Sequence, residues 1–215
     1  EWLAAGHVEI TLWKPDGTPG PVMSGHEGGW SSVAWSHDGQ WLASAGQDQT
    51  VRLWQVDGTP GPVLEGHRQG PNAVSWNQEG RLISAGVDIH LWRQDRKTSA
   101  VIDGGAHTMD LAWSPDGERF VAVGERGIAV HDFEGNVVVE RQPSYYDRVN
   151  SVAWRPDGGT LATMSASEVW FWGSDGASAK PVGGIGGGGL AWSPTGDLLA
   201  ARGGNGHVHD GEQDG

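Results

Sequence analysis

A tryptophan preceded by Ala or Ser and followed by a tight turn occurs five times, at Trp35, Trp76, Trp113, Trp154 and Trp192, at intervals of 41, 37, 41 and 38 residues. The turns read SHDG, NQEG, SPDG, RPDG and SPTG, where Pro presets the turn and Gly accepts an unusual backbone angle. Other landmarks keep step. An aromatic ends a later apolar run at Trp13, Trp54, Trp92 and Trp172, and GTPGPV stands at Gly17 to Val22 and again at Gly58 to Val63, both copies running into Gly-His at His26 and His67. The chain is therefore built from copies of one small unit.

The best-preserved copy, Trp30 to Trp54, shows what that unit is. Val33 with Trp35, Leu42 with Ser44 and Val51 with Leu53 alternate with the period of a half-buried strand. His37-Asp38-Gly39 and Gly46-Gln47-Asp48-Gln49 separate these runs and supply turns. No segment carries a sustained 3.6-residue apolar period, so the expected class is all-β, with four-stranded antiparallel units.

Composition narrows the function. The net charge is -13 and the 14 basic residues are scattered, with Arg93, Arg96 and Lys97 the only small cluster, which argues against nucleic-acid binding. Without cysteine there is no disulfide, thiolate metal site or cysteine nucleophile. No run approaches 18 apolar residues, so no membrane span is expected; a cytoplasmic setting is the expectation, although the missing cysteines do not fix it. The sequence begins in strand-like residues at Glu1, with neither an initiator Met nor a signal peptide, and the expectation is a piece of something longer.

Four strands per unit at this period are the signature of a propeller blade. The Gly-His start, the AWSPDG-like turn and the strand ending in Leu-Trp resemble the WD40 repeat family over nearly the whole chain. That resemblance implies a WD40-like β-propeller domain over residues 1–215, with about five and a half blades. The boundaries are a partial blade at 1–25, full blades at about 26–66, 67–103, 104–142 and 143–182, and a partial blade at 183–215. A truncated larger ring is preferred to a compact five- or six-bladed one, and unpaired blade edges would allow self-association.

The resemblance also implies a structural tetrad: a loop His, a Ser or Thr on the second strand, an Asp in the next turn and the Trp of the third strand. Only His26, Ser44, Asp48 and Trp54 supply all four in the family's spacing. The next unit keeps His67, Ser84 and Trp92, but SAGVDIHLW is two residues shorter than SAGQDQTVRLW, which puts Asp88 at risk of missing its place. His131 occupies the Trp position of the following unit, whose loop is too short for His107 to stand where His26 does. In the fifth unit Tyr145 aligns with the loop histidine, while Thr163 and Trp172 match. The last unit has glycine for the histidine and His209 at the Trp position. Gly104 to Gly117 aligns without gaps to Gly183 to Gly196, 79 residues on, and both segments reach Val-His-Asp, which suggests that a two-blade unit was duplicated.

Candidate chemistry is sparse. His207, His209 and Asp210 have types suited to zinc, but His131-Asp132 at the equivalent place marks both pairs as worn versions of a terminal Trp-Asp, so no metal site is assigned. GGIGGGG at Gly183 to Gly189 lacks the GK[ST] and helix of a phosphate loop and reads as an inter-blade loop. Asp16, Asp38, Asp57, Asp116, Asp157 and Asp175 lie where turns need them. No catalytic set and no cofactor site is assigned.

Trp41 and Trp170 replace polar residues at strand positions expected to be exposed, which suits a binding hot spot or sugar stacking. The loop face that the resemblance implies includes Gln47, Arg68, Gln69, Glu125, Arg126, Tyr145, Tyr146, Asp147 and Arg148. Within it PSYYDR, Pro143 to Arg148, is the first choice for a contact loop. The expected function is a non-catalytic protein-interaction scaffold, a docking or sensing module of a larger protein. The rival is an enzyme or glycan-binding propeller using its channel or its exposed tryptophans.

Overall fold

The computed structural model describes residues 2–6, 8–93, 98–103, 107–141, 148–174, 181–183, 187–203 and 208–210, with the backbone alone at 6, 98, 99, 182, 183, 203 and 208–210. Every regular element among them is a strand, and no helix among them is long and apolar enough to cross a membrane. The chain divides into two compact units, 1–105 and 106–215.

The first unit holds three antiparallel meanders. β1 (Leu3–Gly6), β2 (Ile10–Trp13) and β3 (Pro19–Met23) form a three-stranded sheet. β4 (Trp30–Trp35), β5 (Trp41–Gly46), β6 (Val51–Gln55) and β7 (Pro60–Leu64) form the second sheet. The third has β8 (Ala73–Trp76), β9 (Leu82–Ala85), β10 (Asp88–Trp92) and β11 (Thr98–Asp103). Ile10, Leu12, Met23, Leu42 and Trp54 bury the contact between the first two sheets, and Leu53, Leu64, Val74 and Leu82 that between the next two. Each such aliphatic side chain contributes about 1.5–3 kcal/mol by leaving water.

The second unit repeats the plan. Its fourth sheet has β12 (Thr108–Trp113), β13 (Arg119–Gly124), β14 (Gly127–Asp132) and β15 (Val137–Arg141), and the fifth has β16 (Val149–Trp154), β17 (Thr160–Ser165), β18 (Glu168–Gly173) and β19 (Pro181–Gly183). The sixth has three strands, β20 (Gly187–Trp192), β21 (Leu199–Gly203) and β22 (Val208–Asp210). Val121, Val130, Val152 and Trp172 join the fourth sheet to the fifth, and Met164, Val169 and Leu199 join the fifth to the sixth.

The five Ala-Trp and Ser-Trp landmarks each end the first strand of a sheet, at β4, β8, β12, β16 and β20. The glycines of the following turns, Gly39, Gly80, Gly117, Gly158 and Gly196, all have φ between 67° and 77°, a conformation that penalises any side chain. The turn aspartates do local work: Asp16, Asp38, Asp57, Asp116 and Asp157 each accept a backbone N–H from two residues on. Asp175 lies outside the described residues.

Two expectations need correction here. His209 does not occupy the Trp position. In the fourth sheet that position, His131, pairs with Phe120; in the sixth, His209 pairs with Ala201, two places further from the turn that follows the first strand. Four residues separate β21 from β22, against two between β13 and β14, and the longer connection shifts the register. The Val-His-Asp segments are therefore not equivalent, and the short loops on which the duplication rests fall partly outside the described residues. Edge exposure is also uneven. β3 and β7 each carry two prolines, Pro19 with Pro21 and Pro60 with Pro62, which cannot donate to an added strand.

Candidate functional site

Sheets two and three each build a buried polar chain at the end where the loop histidine enters. In the second sheet Trp54 Nε1 donates to Ser44 Oγ at 2.9 Å, Ser44 Oγ lies 2.7 Å from His26 Nε2, and His26 Nδ1 lies 2.9 Å from Asp48 Oδ1. An ionised carboxylate only accepts, so His26 carries its proton on Nδ1 and Ser44 donates to Nε2. Asp48 also accepts from the Glu27 N–H and the Thr50 hydroxyl. The ring lies so close to Gly46 that an added Cβ there would stand 2.0 Å from His26 Nδ1.

Asp88 does reach the tetrad position in the third sheet. His67 Nδ1 donates to Asp88 Oδ1 at 2.8 Å, Ser84 Oγ lies 2.6 Å from His67 Nε2, and Trp92 Nε1 donates to Ser84 at 2.8 Å. The deletion shortens the loop between β9 and β10 and starts β10 at Asp88 itself, so the strand delivers the carboxylate that a longer turn delivers in the second sheet. The expectation that one unit alone carries all four residues is thereby corrected to two.

Burial governs the charge state of this second chain. It pulls the His67 imidazole down to about 4, outweighing its hydrogen bond to Asp88, and that bond helps to hold Asp88 at about 2 against its own burial. At neutral pH a neutral histidine thus donates to an ionised aspartate. Arg68 supplies the nearby positive charge: its backbone N–H and Nε donate to Asp88 Oδ2, while its outer nitrogen pairs with Asp103 at 3.0 Å.

His90 went unremarked as a functional residue in the sequence. It is buried, stacks on Trp92, and puts Nε2 3.3 Å from Asp88 Oδ2. The signal was its alignment with Arg52, which lies 3.6 Å from Asp48 in the second sheet. Both side chains stand over the tetrad carboxylate, but only arginine is always charged.

The second unit replaces these chains. His107 is exposed, and an added Cβ on Gly124 would meet its carbonyl at 2.2 Å, so the short loop lays backbone where the histidine ring lies in the second sheet. His131 instead stacks on Phe120 at 4.8 Å and donates Nδ1–H to the Gly135 carbonyl, and burial lowers its pKa. Trp172 keeps its bond to Thr163 at 2.8 Å. Asp110, also missed, accepts from Ser151 Oγ and the Val152 N–H of the next sheet, both at 3.0 Å, while Ser151 Oγ accepts from the Leu190 N–H. Burial raises the Asp110 pKa despite these donors. A charged residue in DLAW, where the other copies read SVAW, AVSW, SVAW and GLAW, was the available clue.

The loop candidates fall as follows. Gln47, Arg68, Gln69, Glu125, Arg126 and Arg148 are all exposed, and Arg148 pairs with Glu125. Tyr145, Tyr146 and Asp147, and with them most of PSYYDR, lie outside the described residues, as does His207; the Asp210 side chain is likewise undescribed. Trp41 and Trp170 are half-buried rather than exposed. Trp41 packs over Gly61 and the apolar contact of the second and third sheets; Trp170 stacks on Trp172 and donates to Glu168 at 3.1 Å. Neighbouring backbone without side chains makes room for Trp41, which explains its tolerance on a strand. These two side chains support their sheets.

The family described as WD domain, G-beta repeat, matches residues 17–55 and 58–91. Those stretches take in His26, Ser44, Asp48, Trp54, His67, Ser84 and Asp88 of the two tetrads. Residues 17–91 thus carry WD40 repeats, and the meanders of antiparallel strands, mostly four to a sheet, are consistent with WD40 propeller blades.

Proposed function

We propose that this chain is the docking or sensing module of a larger multidomain protein and that it works in the cytoplasm. WD40 repeat domains are generally protein-interaction scaffolds and usually non-catalytic. The observation that carries the reading is the Arg68 side chain. It is 58% exposed, yet its own backbone and guanidinium are tied to the buried carboxylate of Asp88. A long charged side chain normally loses conformational freedom when it binds, and one already anchored loses less. Arg is also enriched among the residues that dominate interface energy.

Gln47 and Gln69 flank this position on interlocked loops. The Gln47 N–H donates to the Gly29 carbonyl, and Gly70 sits so close to the β5–β6 turn that an added Cβ would lie 2.9 Å from the Gln47 Cα. The partner is a protein surface with acidic and polar groups to meet Arg68 and Gln69. Quantitative affinity capture from the source cells tests this. The double substitution R68A/Q69A should lose proteins that the wild type and the outer-strand control V63T both retain. Identical captures from all three would remove the reading. Fractionation of those cells locates the protein.

A further inference from the structure

We propose that His67, Asp88 and His90 form a binding site for one divalent transition-metal ion of the zinc type. Among the described residues this is the one group of three metal-ligating side chains whose donor atoms all lie within 4.8 Å of one another. All three are buried, at 4% exposure or less. A zinc ion with ligands at about 2.0–2.1 Å in tetrahedral geometry holds neighbouring donors about 3.4 Å apart. The distances to Asp88, 2.8 Å from His67 Nδ1 to Oδ1 and 3.3 Å from His90 Nε2 to Oδ2, run to its two oxygens, and no two of the three donor atoms lie more than 4.8 Å apart, so a closure of about 1.4 Å at most brings the set to that spacing.

The donor set suits the ion chemically. Two imidazoles and a carboxylate are borderline ligands of the kind that zinc and its neighbours select. Both histidines ligate as neutral rings, so binding is favoured where the imidazoles are unprotonated. On binding, the His67 Nδ1 lone pair takes the metal and the ring proton moves to Nε2, where Ser84 Oγ accepts it at the present 2.6 Å. That is the supporting contact a ligating histidine ordinarily has. His90 ligates through Nε2, and the ring proton that Nε2 now directs at Asp88 Oδ2 moves to Nδ1, a buried atom that has no hydrogen-bond partner in the metal-free arrangement. The ion takes the place of the Arg68 guanidinium beside Asp88 Oδ2. Arg68 can leave because it is largely exposed and already pairs with Asp103. Its departure opens the side from which water completes the coordination.

The second sheet explains why the site is in the third alone. Arg52 stands where His90 does, so Asp48 faces a permanent cation that repels a metal. The inference does not depend on the docking reading.

The test is titration of the full chain with Co2+ alone at pH 7.5, followed by visible absorption, then displacement by Zn2+. The wild type should develop the intense d–d bands of four-coordinate cobalt at one equivalent, and Zn2+ should raise its unfolding temperature. His90→Arg, which installs the arrangement of the second sheet, should fold and bind at least about a hundredfold more weakly. Should it fail to fold, His90→Phe, which keeps a flat ring against Trp92, carries the same expectation. Cobalt bands in the folded variant equal to those of the wild type would overturn the site, as would a wild type without such bands.

Discussion

The second and third sheets close their polar ends with four-member chains, whereas the fourth and fifth reach similar burial with aromatic rings. In the first unit Trp, Ser, His and Asp satisfy one another, and the Asp in turn fixes the loop that brought the histidine. In the second unit His131 lies flat on Phe120, and Trp172 bonds to Thr163, with no histidine described beyond it. A propeller-type sheet can thus hold its strands together without the tetrad. What the tetrad adds is an ordered loop, since Asp48 and Asp88 accept the backbone N–H of Glu27 and Arg68. The repeat is a packing unit first and a loop-fixing device second.

Removing the shared hydroxyl from each kind of sheet should separate them most. Ser84→Ala leaves His67 Nε2 and Trp92 Nε1 buried without partners and should cost about 2–5 kcal/mol in urea unfolding. Thr163→Val strands only the Trp172 N–H and should cost about 1–3 kcal/mol. Equal losses would erase the distinction.

Acid should widen it. His67 has a folded pKa of about 4 against 6.5, so the unfolded chain binds the extra proton; the first unit is fully stabilised above 6.5 and loses that contribution as pH falls to about 4. Asp88, lowered to about 2, adds a second loss between 3.8 and 2. In the second unit His131 weakens on acidification for the same reason as His67, but Asp110 has a raised pKa and binds its proton more readily when folded. Its contribution therefore improves as pH falls toward 3.8 and offsets part of the loss. Amide NMR signals from residues 26–92 should disappear at a higher pH than those from 108–172. The reverse order would contradict the charge assignments.

Smaller effects sharpen the comparison. His131→Phe should change stability by less than about 1.5 kcal/mol, because the ring's place is apolar and one hydrogen bond to a carbonyl is lost. Arg68→Ala should leave the urea unfolding midpoint almost unchanged while exposing the Asp88 carboxylate, since most of the arginine side chain is in water.

Much of this was legible because the repeat prints its landmarks at strand ends. The Trp of each AW or SW pair closes a first strand, and each turn glycine has the backbone angle its position demanded. Counting residues between landmarks misled at Asp88, where a strand that begins two residues early replaces a turn. It misled again at His209, where a longer connection shifts the pairing by two. Exposure was misjudged at Trp41 and Trp170 because alternation on one strand says nothing of the glycine-rich backbone or ring packed across it. His90 and Asp110 escaped because their chemistry lies in the neighbours that the fold brings to them, from another loop for one and another sheet for the other.

The most direct measurement is the nitrogen NMR spectrum of the His67 ring in the full chain between pH 7.5 and 5. The structure requires a neutral ring protonated on Nδ1 throughout that range, bound to an ionised Asp88. A ring protonated on Nε2 in the metal-free protein, or one that titrates near 6.5, would mean that the third sheet has no such chain and that Arg68 is not anchored by it.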